Sequence, residues 1–189
     1  MKLLFCGCIL FFGVHSVSIA APAWRERMVA RFGLHGWQGV YSLLAAAGLA
    51  MMVYGYGQAR LAGGGLLYTP AAWSRSAAAA LMLPVFPLLL AAYLPGRIGR
   101  RLGHPMLLAT LLWSLAHLTA NGGAADVLLF GSFALWAAAD WGSVRHRKPR
   151  AIRRLPTTRW NDAVSLILGL ALYALMVAGG HRWLAGVPL

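Results

Sequence analysis

Charge is scarce in this chain, and negative charge is nearly absent. Of 189 residues, 17 are Lys or Arg and only 4 are Asp or Glu, while 60% are hydrophobic. A soluble domain of this length needs more polar surface to cover its core. No hydrolase triad, phosphate-cradling loop or thiolate cluster has recognisable spacing. The two cysteines, Cys6 and Cys8, form a Cys-x-Cys pair inside an apolar stretch. They read as two small buried hydrophobes rather than as a metal or lipid site. There is no internal repeat.

What is present is a series of apolar runs. Six can be read: Leu3–Ala21, Trp37–Gly57, Ala77–Leu94, Pro105–Ala120, Ala124–Asp140 and Asp162–Val177. A bilayer span takes roughly 20 mainly apolar residues. Lipid offers the backbone no hydrogen-bond partner, so each span must satisfy its own peptide groups. Barrel strands would alternate apolar and polar residues, and these runs do not. The fold class expected is all-α: a polytopic transmembrane helix bundle of about six spans, with residues 1–189 forming one domain. Pro84 and Pro87 predict a kink in the third span. Abundant Gly and Ala in the second, third and fifth predict close helix contacts.

The basic residues suggest an orientation. Arg25, Arg27 and Arg31 fall in the first loop, and Arg97, Arg100 and Arg101 in the third. The fifth holds Arg145, Arg147, Lys148, Arg150, Arg153, Arg154 and Arg159. Only Lys2, Arg60, Arg75 and Arg182 fall on the other side. The positive-inside rule then places the odd loops in the cytoplasm and both termini outside. A net charge of +13 distributed this way is a topology signal and a contact for anionic lipid headgroups, not a nucleic-acid footprint. Trp24, Trp37, Trp73, Trp141, Trp160 and Trp183 sit near span ends, where an aromatic belt belongs. Trp113 and Trp136 lie inside spans, where they either pack in the bundle or line a ligand pocket.

The N-terminus also resembles a secretory signal, with Lys2, an apolar run and Ala21-Pro22-Ala23. Cleavage there would put the Arg25–Arg31 loop outside, against the charge rule. A retained first span is therefore expected.

Six histidines remain to be placed. His146 lies in the basic loop and reads as solvated, and His181 falls at the outer interface. His35 and His104 precede spans at the cytoplasmic boundary. His15 and His117 differ, because both fall inside spans, where an ionisable residue points to function. Counted from Pro22 and Pro105 at 1.5 Å per residue, their depths are roughly 11 and 18 Å, both near mid-membrane. Two imidazoles on facing helices suit the axial positions of a haem. The plainer reading has each histidine hydrogen-bonding within the bundle, with Ser16, Ser18, Thr119 and Asn121 at hand.

Several blocks occurring in order resemble the NnrU family: HSVSIAAPAWRERMVARFG, LMLPVFPLLLAAYLPGRI, GHPMLLATLLWSLAHLTANG, DVLLFGSFALWAAAD and WNDAVSLILGLALYALMV. The resemblance covers nearly the whole chain. It implies a bacterial inner-membrane protein linked to nitric oxide and nitrite metabolism in denitrification, with reductase components as partners. It also implies kinship with 15-cis-zeta-carotene isomerase, a membrane protein with haem b. Its haem-ligating histidines sit in blocks resembling His15-Ser16 and Leu115-Ala116-His117. The isomerase has a cysteine three residues before the second histidine, implicated in ligand switching. This chain has Ser114 there, a poor iron ligand, which puts carotenoid isomerisation in doubt.

The aspartates read as structural. Asp126 and Asp140 bracket the fifth span, with Asp140 placed to pair with a loop arginine. Asp162 stands at a helix start, where a cap or dipole role is expected. Arg97, Arg100 and Arg101 are candidates to meet haem propionates. Three functions follow. One is a haem b protein supporting nitric oxide or nitrite reduction by a redox, sensing or maturation role. The others are a haem-dependent isomerase or oxidoreductase acting on a lipid-soluble substrate, and a non-haem assembly or transport factor.

Overall fold

A computed structural model describes residues 1–146 and 155–186. Arg147, Lys148, Arg150, Arg153 and Arg154 of the expected basic loop lie outside the described residues. Helix dominates the described chain, and the bundle class read from hydropathy is correct. The helices are α1 (Lys2–Ala20), α2 (Pro22–Leu61), α3 (Ser74–Met82), α4 (Val85–Tyr93), α5 (Arg97–Leu102), α6 (Pro105–Ala120), α7 (Ala124–Val144), α8 (Asn161–Leu175) and α9 (His181–Ala185). Among the described residues, five helical stretches are long and apolar enough to cross a membrane: α1, α2, α3 with α4, α7, and α8 with α9. The fourth of the six expected spans, now α6, has 16 residues and falls short of a full span.

The chain divides into two compact units. The first comprises Met1–Thr69 and Gly122–Ser143, the second Pro70–Asn121 and Val144–Leu189.

In the first unit α1 and α2 form a tight antiparallel pair. Glycines set the approach: a methyl group added at Gly7 would lie 2.7 Å from the amide nitrogen of Met52, and one at Gly48 would lie 2.8 Å from that of Phe11. At Gly55 it would strike the backbone of Leu4. The core of the unit joins Leu4, Cys8, Met52, Ala59 and Ala125, with Phe11, Phe12, Tyr56 and Phe133 packed around them. Both Leu4 and Met52 are inaccessible to solvent within about 1%. Residues 22–32, read above as part of a loop because of their arginines, are helical. Gly33, at φ +72° and ψ +164°, separates this segment from the rest of α2. Only glycine enters that region without strain. Across the unit, Asp126 at the start of α7 accepts a hydrogen bond from the Tyr56 hydroxyl at 2.5 Å and another from the Gly123 amide at 3.0 Å. Tyr68 lies in the loop after α2, docked on the turn at Gly122, where an added methyl would strike its carbonyl. Partial burial, and then the nearby Asp126 charge, raise the Tyr68 phenol above its ordinary pKa.

In the second unit the expected kink appears as a break. The third span stops at Met82 and restarts at Val85, across Leu83-Pro84. The missing N–H of Pro84 and Pro87 removes two helix bonds. Just before the break, the Tyr173 hydroxyl of α8 donates to the Ala79 carbonyl at 3.1 Å. Buried Asn161, Ser165 and Gly169 lie one turn apart along α8, and a methyl at Gly169 would overlap Pro87 of α4. Asn161 also donates to the carbonyls of Pro95 and Pro156, each at 3.0 Å. A cluster of Val85, Leu88 and Ala109, with Trp113 at its edge, ties α4 to α6.

Candidate functional site: two histidines on apolar helices

His15 lies in the first unit, five residues before the end of α1. Its Nδ1–H donates to the Phe11 carbonyl one turn back, at 2.7 Å. A carbonyl can only accept, so the proton is on Nδ1 and the lone pair of the neutral ring is on Nε2. Aromatic rings enclose it. Phe11 stacks at 4.0 Å, Tyr41 stands at 5.2 Å and Trp136 meets it edge-on at 5.7 Å. Among the described residues, the buried indole nitrogen of Trp136 has no hydrogen-bond partner. Such a donor in an apolar wall is costly unless something accepts from it.

His117 lies in the second unit, in the last turn of α6. Its Nδ1–H donates to the Trp113 carbonyl at 2.8 Å, which fixes the same tautomer. Trp113 stands 5.0 Å from it, ring centre to ring centre. The two tryptophans left open between packing and ligand lining therefore each stand beside one of the two selected histidines. Twelve residues from Pro105 is most of a 16-residue helix. His117 thus sits near an end of its helix rather than at the middle, as depth counting had placed it.

Ser114 is fully buried, and its hydroxyl donates to the Thr110 carbonyl at 2.8 Å. The residue at the isomerase's cysteine position is thus turned onto its own helix. His35, His104 and His146 are exposed. His181, expected only at an interface, has its ring centre 6.3 Å from that of His117. Sequence reading missed this pairing, and it missed Phe11 and Tyr41 as walls for His15. The Phe11–His15 contact had a signal, since residues four apart share a helix face.

Asp162 does cap a helix, but not its own. Its carboxylate accepts from the amides of Arg97 at 2.9 Å and Ile98 at 3.1 Å, closing the start of α5. The three arginines of α5 are exposed. Among the described residues no group of three or more His, Cys, Asp or Glu could hold a metal ion. Haem iron does not need such a group, because the macrocycle supplies four ligands and the protein one or two. A neutral imidazole with its proton held on Nδ1 fits one such ligand position, and each unit holds one, His15 in the first and His117 in the second.

Apolar helices of this length, five stretches of them long enough to cross a membrane among the described residues, define an all-α protein of the helical-bundle class. The particular family is NnrU: residues 3–189 match the NnrU protein family, and the chain belongs to it. No curated protein and no solved structure matches the chain.

Proposed function

We propose that this NnrU-family protein is a bacterial inner-membrane protein that binds haem b, with His15 and His117 as iron ligands. In this reading it supports nitric oxide and nitrite reduction in a redox, sensing or maturation role. The observation that carries the reading is the shared arrangement of the two histidines. Each spends its Nδ1 proton on a carbonyl one turn back, and each stands against aromatic rings. Ligating histidines commonly hold the second nitrogen this way, which fixes ring orientation and raises basicity at the ligating atom.

A bound haem would supply reversible one-electron chemistry and, where one imidazole gives way, a site for a small ligand such as nitric oxide. The protein's part is to orient the imidazoles, exclude water with Phe11, Tyr41, Trp113 and Trp136, and present Arg97, Arg100 or Arg101 to the propionates. The charge distribution supports cytoplasmic odd loops and periplasmic termini. Ser114, bonded to Thr110, weighs against the isomerase's ligand switch. An isomerase or oxidoreductase acting on a lipid-soluble substrate is therefore the weaker reading.

The test is the absorbance spectrum of full-length protein purified from membranes. A Soret band that is lost or shifted in His15→Ala and in His117→Ala is the expected result. Retention of an unchanged band in both variants rules out the ligand assignment. Absence of any haem from the wild-type protein supports the non-haem assembly or transport role instead. Turnover of a cis-polyene would restore the isomerase reading.

A further inference from the structure

His117 and His181 are far apart in sequence and adjacent in the second unit. Their ring centres are 6.3 Å apart and their planes are inclined by 36°. What delivers His181 to this place is a local departure from the α-helix. After Leu175 the chain makes a five-residue π turn, Met176–Gly180, in which Gly179 takes φ +135°. A residue with a side chain would be strained there. The turn re-aims the chain directly before His181, the first residue of α9. Single π turns within helices occur often at functional sites. On the facing helix, His117 is already held in one tautomer by the Trp113 carbonyl.

We propose that His117 and His181 form a two-imidazole site for a transition-metal centre. The site shares His117 with the haem reading but needs neither His15 nor haem itself. Its support is the spacing. A metal–nitrogen bond is roughly 2.0–2.1 Å, and the ring centre lies about one ångström beyond the nitrogen, so opposite imidazoles on one ion have centres a little over 6 Å apart. The 6.3 Å between the ring centres leaves room for one ion between the two imidazoles. Imidazole is a good ligand for iron, copper and zinc. Where haem is the source, His117 and His181 would be the protein's ligands and the macrocycle would supply the others. A bare divalent ion would complete its shell with water. The same imidazole chemistry serves both sources.

The experiment uses the full chain in nanodiscs, as wild type, His117→Gln, His181→Gln and His15→Gln, each checked for a monodisperse elution profile. In the first arm, metal-free protein is titrated with Cu²⁺ and followed by its electron paramagnetic resonance. The bare-ion source predicts nitrogen coupling in the wild type and His15→Gln, and binding weakened about tenfold or more in His117→Gln and His181→Gln. In the second arm, the protein is loaded with haem. The haem source predicts that His181→Gln moves the ferric spectrum from low spin towards high spin. His181→Gly separates ligand loss from misfolding, because added free imidazole should restore the wild-type signal. An effect of His181 in either arm, with that rescue, supports the site and identifies its source. Wild-type behaviour of His181→Gln in both arms overturns it, as does binding in neither arm by the wild type, or a loss that imidazole does not restore. A haem spectrum that depends on His15 and His117 but not on His181 would overturn this site and leave the proposed function standing.

Discussion

Asp162, at the start of α8, closes the first turn of α5, taking the Arg97 amide at 2.9 Å and the Ile98 amide at 3.1 Å. These are two of the donors that a helix N-terminus leaves without intrahelical partners. A carboxylate is also favoured there by the helix dipole. The contact holds the arginine-bearing helix α5 against the beginning of α8.

Replacing Asp162 by Ala should therefore cost about 1 kcal/mol, the usual size of a lost cap. Thermal unfolding in detergent checks it. Asp162→Asn keeps an acceptor and should recover part of the loss. Gly96 gives an independent handle, because a methyl there would collide with the Asp162 carboxylate. Gly96→Ala should act through the same contact, so the double variant Gly96→Ala/Asp162→Ala should cost less than the two singles together. Additive losses would show that Gly96 acts some other way.

Tyr56 and Asp126 join α2 to α7 by a hydrogen bond of 2.5 Å. Asp126 is buried, so removal of the phenol leaves its carboxylate dependent on the Gly123 amide at 3.0 Å. Hydrogen bonds to charged groups contribute about 1.5–3 kcal/mol. Tyr56→Phe should destabilise the protein by an amount in that range, read from the unfolding midpoint. A change near zero would mean that water or another group replaces the hydroxyl.

The α1–α2 seam predicts a change in thiol reactivity. Cys8 is buried and Cys6 exposed. In a Cys6→Ser background, Cys8 should react slowly with maleimide in detergent. Gly55→Val places a branched side chain against the Leu4 backbone and should raise the Cys8 labelling rate several-fold. Gly57→Val, where added atoms meet open space, should not. Equal rates in the two variants would separate Cys8 accessibility from the seam.

Much of this fold was legible in the sequence because lipid imposes a simple rule. Apolar runs long enough to span must be helices, and each of the six runs is mostly helix, although Ala77–Leu94 is split between α3 and α4 and Asp162–Val177 runs past α8 into the π turn. The Pro84 and Pro87 break was legible for the same reason, since proline lacks the donor that the helix needs. The helix at Pro22–Phe32 was not legible, because arginines there were weighed as topology signals and a charged segment can be helical at a membrane surface. Asp162 was read as a capping residue, but its partner lies 65 residues away in sequence, and local spacing carries no record of that. At the site, His15 and His117 stood out by their cost in lipid. His181 did not. Its place beside His117 depends on the π turn at Met176–Gly180, a register change that hydropathy does not encode.

The first helix decides whether His15 belongs to the working protein. Leu4 is wholly buried, and Gly7, Gly48 and Gly55 bring the α1 and α2 backbones together. Small residues at such a seam allow close van der Waals packing, the main attraction available between helices in lipid. Loss of α1 would leave Met52 and Ala59 without the Leu4 and Cys8 side chains that cover them. A removable leader has no need of such packing, so α1 should stay. Protein carrying different epitope tags at its two ends should run as one membrane-bound species that bears both. A shorter species bearing only the C-terminal tag would show cleavage. It would remove His15 from the proposed ligand assignment and leave the proposed His117–His181 pair unaffected.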